Sequence, residues 1–154
     1  MLAIATGGGA GYAPWAPGTV GSAVGVLVYL GLASLGFPLY LLTTLAITAL
    51  GIWASDASER ILGRKDDGRI VIDEVAGQLF TLAPLTFLAP VEEIRSPLWL
   101  VTGFVAFRLL DIWKPGPVRW AEQHFSGGAG VVLDDVAAGL MAALGMSAAL
   151  WVAA

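Results

Sequence analysis

The residues able to do chemistry gather in a few short stretches. Residues 107–139 read FRLLDIWKPGPVRWAEQHFSGGAGVVLDDVAAG and hold Arg108, Asp111, Lys114, Arg119, a glycine-rich turn at Gly127, Gly128 and Gly130, and the pair Asp134–Asp135. A second acidic pair, Asp73–Glu74, follows Ile70-Val71-Ile72. Asp73, Glu74, Asp111, Asp134 and Asp135, in a chain with no cysteine and one histidine, suit a hard cation with oxygen ligands, Mg²⁺ before Zn²⁺. Arg108, Lys114 and the amides of Gly127 and Gly128 suit phosphate. A carboxylate-held Mg²⁺ beside a phosphate site is equipment for phosphoryl chemistry.

Each feature also has a structural explanation. Both acidic pairs stand where an apolar segment begins, and acids cap helix N-termini there. One acid suffices for a cap, and pairs recurring on one side weaken that explanation. Arg108 and Asp111 are three apart and share a helix face, as an ion pair at a membrane edge would. Asp111 and Lys114 share it too if the helix persists, although Lys114-Pro115 is expected to end it. The stretch MLAIATGGGAGYAPWAPGTVGS is uncharged, glycine-rich and broken by Pro14 and Pro17. Its amides could cradle an anion, with Thr19 and Ser22 at the start of the following helix as candidate phosphate binders. A plain loop with a helix cap is the alternative. His124 is a candidate general base, but an interfacial histidine with no partner visible in sequence is more often structural.

The elements that must position these residues are apolar. The chain has 154 residues, which sets one domain over 1–154 as the default. Hydrophobic residues make up 57% and charged residues 13%, with mean hydropathy +0.79. A soluble domain carries about 25% charged residues, so a multi-pass membrane protein is expected. Every charged side chain lies between Asp56 and Asp135. No basic patch stands free of acids, which argues against a nucleic-acid partner. The absence of cysteine excludes disulfides and thiolate metal sites. No basic stretch precedes an apolar run at the N-terminus, so a cleaved signal peptide is not expected.

Five apolar segments follow: Val20–Leu35, Leu39–Trp53, Val75–Pro90, Leu98–Leu110 and Val136–Ala154. The expected fold is an all-α bundle of about five transmembrane helices. Gly21, Gly25 and Gly31 would let helices approach closely. Between the segments, Asp56–Arg60 should continue the second helix, and Asp66-Asp67-Gly68 reads as a turn. Asp56, Glu59, Arg60, Arg64 and Lys65 read as a solvated membrane-edge face. Five spans place residues 1–22, 55–74 and 111–135 on one side, with 91–97 and the C-terminus on the other. The first side holds Arg60, Arg64, Lys65, Arg69, Lys114 and Arg119, with Arg108 at its edge; the second holds Arg95. The basic bias makes the first side cytoplasmic. Trp15, Trp53, Trp113 and Trp120 fall near that interface, and Trp99 and Trp151 near the other.

Four stretches taken together, TGGGAGYAPWAPGTVGS, IVIDEVAGQ, FRLLDIWKPGPVRW and GGAGVVLDDVAAG, resemble the phosphatidylglycerophosphatase A family in order and over nearly the whole chain. The resemblance implies a Mg²⁺-dependent phosphatase of the bacterial inner membrane, with its polar site on the cytoplasmic face. It would hydrolyse phosphatidylglycerophosphate, a membrane phospholipid, to phosphatidylglycerol and phosphate. It also implies that Asp73, Glu74, Asp111, Asp134 and Asp135 are metal or catalytic groups, and that Arg108 and Lys114 bind phosphate. Soluble members exist, but the apolar spans place this chain with the membrane-bound ones. Two rivals remain at this point: a Mg²⁺-dependent lipid phosphotransferase, which needs a longer aspartate motif, and a non-enzymatic carrier or assembly subunit. A carrier should hold its charges near mid-membrane, whereas these acids sit at span ends.

Overall fold

Prolines and glycines set the element boundaries in the computed structural model, which describes residues 1–65 and 67–153. Asp66 of the expected turn and Ala154 at the end of the fifth segment lie outside the described residues. After a short helix, α1 (Leu2–Ala5), and a 3₁₀ stretch (Gly7–Tyr12), α2 (Pro17–Leu32) starts on a proline at its first turn, where the missing N–H costs nothing. Gly36, at φ +73°, reverses the chain into α3 (Phe37–Leu62), and Gly63, at φ +65°, ends it. The others are α4 (Ile72–Leu82), α5 (Pro97–Trp113), α6 (Gly116–His124) and α7 (Gly128–Ala153). Among the described residues there is no strand, as the all-α expectation requires.

Among the described residues, three stretches are long and apolar enough to cross a membrane: Pro17–Leu35, Phe37–Leu62 and Gly128–Ala153. α5, with 17 residues, stands at the lower edge of the needed length. The third expected segment takes a different form. α4 has 11 residues, about 17 Å of helix, and a 3₁₀ turn at Ala83–Thr86 carries the chain onward. Every α4 residue except Glu74 is buried, because α2, α3, α5 and α7 all pack around it. The long helices instead expose apolar side chains such as Leu27, Leu42, Leu50, Leu109 and Leu144, as lipid-facing surfaces do.

Small residues make the enclosure of α4 possible. A Cβ on Gly25 would meet the Gln78 side chain at 2.7 Å, and one on Gly139 would meet the Gly77 carbonyl oxygen at 2.3 Å. Gly21 lies equally close to Val71, whereas Gly31 faces open space and packs against nothing. Tyr40 donates its hydroxyl proton to the Leu79 carbonyl at 2.6 Å, and Tyr29 meets the Tyr40 ring edge-on.

Both ends of the bundle are defined by contacts. At one end, Tyr29 donates to the Ile94 carbonyl, Arg95 donates to Ser34 Oγ, and Phe37 packs on Phe87. At the other end Arg108 of α5 reaches Ser22 of α2 and Glu74 of α4, and Lys114 reaches Asp134 of α7. The three polar stretches therefore meet at one end, as the five-segment reading required.

Candidate active site

α4 presents Asp73 and Glu74 in its first turn, and neither side chain caps it; Asp73 Oδ1 accepts only the Glu74 N–H, at 3.1 Å. α7 begins at Gly128, so Asp134 and Asp135 lie well inside the helix rather than at its start. The helix N-terminus explanation therefore fails for Asp134 and Asp135, whereas Asp73 and Glu74 do stand in a first turn, where it favours acids. Successive helical residues point about 100° apart, and the two aspartates accordingly diverge. Asp135 joins Asp73 and Glu74 in a cluster whose ligand oxygens all lie within 4.8 Å of one another. Asp134 Oδ2 accepts from Lys114 Nζ at 2.9 Å.

The cluster is starved of donors. Asp73 and Asp135 are buried, Glu74 nearly so, and Glu74 Oε2 and Asp135 Oδ2 have no hydrogen-bond partner. Burial, followed by repulsion from Glu74 and Asp135, pushes the Asp73 carboxyl well above the usual carboxylate range. Burial also raises Glu74, Asp111 adds to the effect, and Arg108 opposes it. Three clustered carboxylates, two of them buried and two with an orphaned oxygen, fit a hard cation as their missing partner. Asp111 stands outside the three-residue cluster but beside Glu74.

Two cations flank the acids. Arg108 Nη1 donates to Asp111 Oδ2 at 2.6 Å and lies 3.9 Å from Glu74 Oε1 and 3.5 Å from Ser22 Oγ. It thus joins three helices and is more than a local pair on α5. Arg108 Nε is buried without a partner. Lys114 leaves α5 in the left-handed region, φ 47° and ψ 63°, with Pro115 behind it. That backbone turn, costly for a residue with a Cβ, carries the ammonium off the helix face of Asp111. Nζ lies between Glu122 Oε1 at 2.7 Å and Asp134 Oδ2 at 2.9 Å. Burial works against its charge, but the hydrogen bonds to Asp134 and Glu122 outweigh it and raise its pKa above the ordinary lysine value.

The five acids and Lys114 line one pocket of about 370 Å³, together with Gly127, Gly130 and the α6–α7 connection at Phe125 and Ser126; Arg108 does not line it but pairs with Asp111, which does. Three further lining residues, Glu59, Lys65 and Glu122, escaped the sequence reading. Glu59 and Lys65 look like surface charges in a linear reading, and only the close contact of α3 with α7 turns Glu59 inward. That contact explains Gly128, whose Cα packs so tightly that a Cβ would lie 2.0 Å from the Ile52 carbonyl oxygen. Gly127, at φ +60°, lines the pocket beside Asp56.

The remaining candidates sit elsewhere. Ser22 is fully buried and donates to the Gly18 carbonyl at 2.9 Å, its oxygen facing Arg108. Thr19 lies in the first turn of α2, and neither residue lines the pocket. His124 Nδ1 pairs with the Trp120 carbonyl and its ring stacks on Trp120 at 4.4 Å, outside the pocket. This is an interfacial structural arrangement.

Comparison with known proteins agrees with this geometry. The family model described as phosphatidylglycerophosphatase A matches residues 3–150. The chain is 35% identical over 140 residues to phosphatidylglycerophosphatase A of Escherichia coli (strain K12), covering 91% of this chain and 77% of that one. It is 34% identical over 142 residues to phosphatidylglycerophosphatase A of Haemophilus influenzae, covering 92% and 83%. A Bacteroides thetaiotaomicron protein named "Putative phosphatidylinositol-3-phosphatase" is 38% identical over 154 residues, covering 97% and 92%. No solved structure matches the chain.

Proposed function

The chain belongs to the phosphatidylglycerophosphatase A family, and on that premise we propose how its pocket hydrolyses phosphatidylglycerophosphate to phosphatidylglycerol and phosphate. One observation carries the assignment of the site: the clustered carboxylates Asp73, Glu74 and Asp135, two of them with an orphaned oxygen, stand beside the ion pairs Arg108–Asp111 and Lys114–Asp134 at one end of an apolar bundle. The substrate's terminal phosphate enters this pocket while its acyl chains stay beside the bundle.

Asp73, Glu74 and Asp135 would hold a divalent cation, Mg²⁺ by the all-oxygen donor set, which would offset phosphate charge and lower the pKa of a bound water. Lys114 and Arg108 bind the phosphate oxygens. In the resting arrangement both are neutralised by carboxylates, Lys114 by Glu122 and Asp134 and Arg108 by Asp111. The incoming dianion competes for those donors, and Arg108 presents a fork suited to two oxygens at once. Asp111, freed from Arg108, is placed to accept or return a proton as water adds to phosphorus and the glycerol oxygen leaves. A direct aspartyl nucleophile is the other route such a site offers.

The bias of basic side chains toward the pocket end supports a cytoplasmic-facing site in a bacterial inner membrane. The Bacteroides relative's name supports a second headgroup, inositol. Both lipids carry one phosphodiester and one terminal phosphomonoester. Phosphate release from phosphatidylglycerophosphate and from phosphatidylinositol 3-phosphate, with and without a nucleotide-activated lipid, separates the possibilities. Preferential turnover of the first with no nucleotide requirement is expected; release that depends on the activated lipid would instead indicate a phosphotransferase.

A further inference from the structure

The glycine-rich N-terminal stretch does not line the carboxylate pocket. It builds a second one, of about 400 Å³, in which Gly11, Tyr12 and Pro17 face Arg64, Asp67 and Arg69. Both sides are pinned together. A Cβ on Gly11 would lie 1.9 Å from the Arg69 carbonyl oxygen, and the Val71 N–H donates to the Ala5 carbonyl at 2.8 Å. Arg69 Nε and Nη2 clamp the Asp67 carboxylate at 2.7 and 2.8 Å, and these bonds lower Asp67 to about 2. Arg69 and Asp67 therefore offset each other, leaving Arg64 as the net positive charge among the described residues that line the pocket.

The two pockets are lined by residues adjacent in the chain. Arg64 lines the second pocket while the adjacent Lys65 lines the first. Pro17 lines the second, while Gly18 packs against Glu74 Oε1, whose carboxylate lines the first. Beside the second pocket, Tyr12 is 58% exposed and Trp15 is 83% exposed, amphipathic side chains of the kind that sit at headgroup level.

We propose that the second pocket receives the phosphodiester of the same lipid whose terminal phosphate enters the carboxylate pocket. The charges match the two groups. A phosphodiester is a monoanion and suits a site of net charge near +1 with an apolar, interfacial rim. A phosphomonoester approaches a dianion and suits the carboxylate pocket once a divalent cation offsets its acids beside Arg108 and Lys114. On this account the N-terminal motif measures the spacing between the two phosphates, and so selects lipids that carry both. The proposal rests on the phosphatase reading above.

The two reaction products separate the subsites, because phosphatidylglycerol carries only the diester and inorganic phosphate resembles only the monoester. Inhibition constants for both are measured on detergent-purified full-length protein, in mixed micelles at fixed surface concentration, for wild type, Arg64→Gln and Arg64→Lys. Losing a charged hydrogen bond predicts a Ki for phosphatidylglycerol raised roughly ten- to a hundredfold in Arg64→Gln. The Ki for inorganic phosphate stays within about twofold, and Arg64→Lys recovers part of the loss. Phosphatidylglycerol inhibits wild type competitively. Both constants moving together, or neither moving, overturns the proposal. Non-competitive inhibition that Arg64→Gln abolishes also overturns it, since the pocket would then hold a bystander lipid. A wild-type protein that releases no phosphate from phosphatidylglycerophosphate removes the phosphatase reading first and this proposal with it.

Discussion

Asp134 and Asp135 are neighbours in the chain with different partners. Asp134 Oδ2 accepts from Lys114 Nζ at 2.9 Å, whereas an Asp135 oxygen lies within 4.8 Å of those of Asp73 and Glu74. On the proposed reading the split gives the two residues separable roles, one holding a phosphate-binding lysine and the other completing a cation site.

Their asparagine variants should therefore differ in kind. Asp135→Asn keeps the shape and removes a ligand charge, so kcat is expected to fall by about two orders of magnitude or more, the size seen for central electrostatic groups. Asp134→Asn leaves the cluster intact and loosens Lys114, so the loss falls mainly on KM, roughly tenfold. Steady-state kinetics on both variants, with native melting confirmed in detergent, checks the contrast. Equal kinetic defects would place both aspartates in one role.

Arg108 holds Asp111 at 2.6 Å while facing Glu74 and Ser22. Its planar fork cannot be replaced by an ammonium. Arg108→Lys is expected to retain no more than about a tenth of wild-type kcat/KM, close to Arg108→Ala, a loss consistent with a charged hydrogen bond to substrate. A lysine variant of near-wild-type activity would reduce Arg108 to a simple counter-charge.

Cation binding should depend on pH with a definite sign. Burial and neighbouring acids raise Asp73 and Glu74, so protons compete for their oxygens at higher pH than they do for exposed carboxylates. A cation must displace those protons, so its apparent affinity should increase with pH until both carboxyls are ionised. Calorimetry of Mg²⁺ binding in buffers of different ionisation enthalpy should register proton release. Affinity independent of pH would mean the carboxylates are already ionised in the empty site.

How far the sequence foretells this arrangement depends on whether a feature is local. The charge-free segments, the convergence of the three polar stretches and the five acids are visible because apolar runs and charged clusters alternate along the chain. Helix starts are less visible. α7 begins eight residues before the expected Val136, because Gly128, read as a loop glycine, is a packing glycine against Ile52 and Asp56. The brevity of α4 is hidden because a buried core helix and a membrane span are equally apolar. Lys65 and Glu122 join the pocket through contacts distant in sequence, which no linear pattern encodes. The N-terminal glycines suggested an anion cradle; of them Gly11 lines the neighbouring pocket, and none lines the carboxylate pocket.

The Gly77–Gly139 crossing fixes Asp135 relative to Asp73, since α4 and α7 meet backbone to backbone there. Gly139→Ala would push a methyl to 2.3 Å from the Gly77 carbonyl oxygen. Overpacking of this kind costs about 1–3 kcal/mol. A lower Tm and weakened Mg²⁺ affinity are expected together, whereas Gly31→Ala, in open space, should change neither. Thermal melting of both variants with and without Mg²⁺ checks it.

The central claim is that Asp73, Glu74 and Asp135 hold the cation on which hydrolysis depends. The direct measurement is phosphate release from phosphatidylglycerophosphate by purified protein, taken through exhaustive EDTA treatment and metal re-addition, for wild type and Asp135→Asn. The expected result is activity that EDTA abolishes, that Mg²⁺ restores at least as well as Zn²⁺, and that Asp135→Asn lacks at every Mg²⁺ concentration tested. Wild-type activity that survives EDTA, or an Asp135→Asn enzyme within a few-fold of wild type, would contradict it.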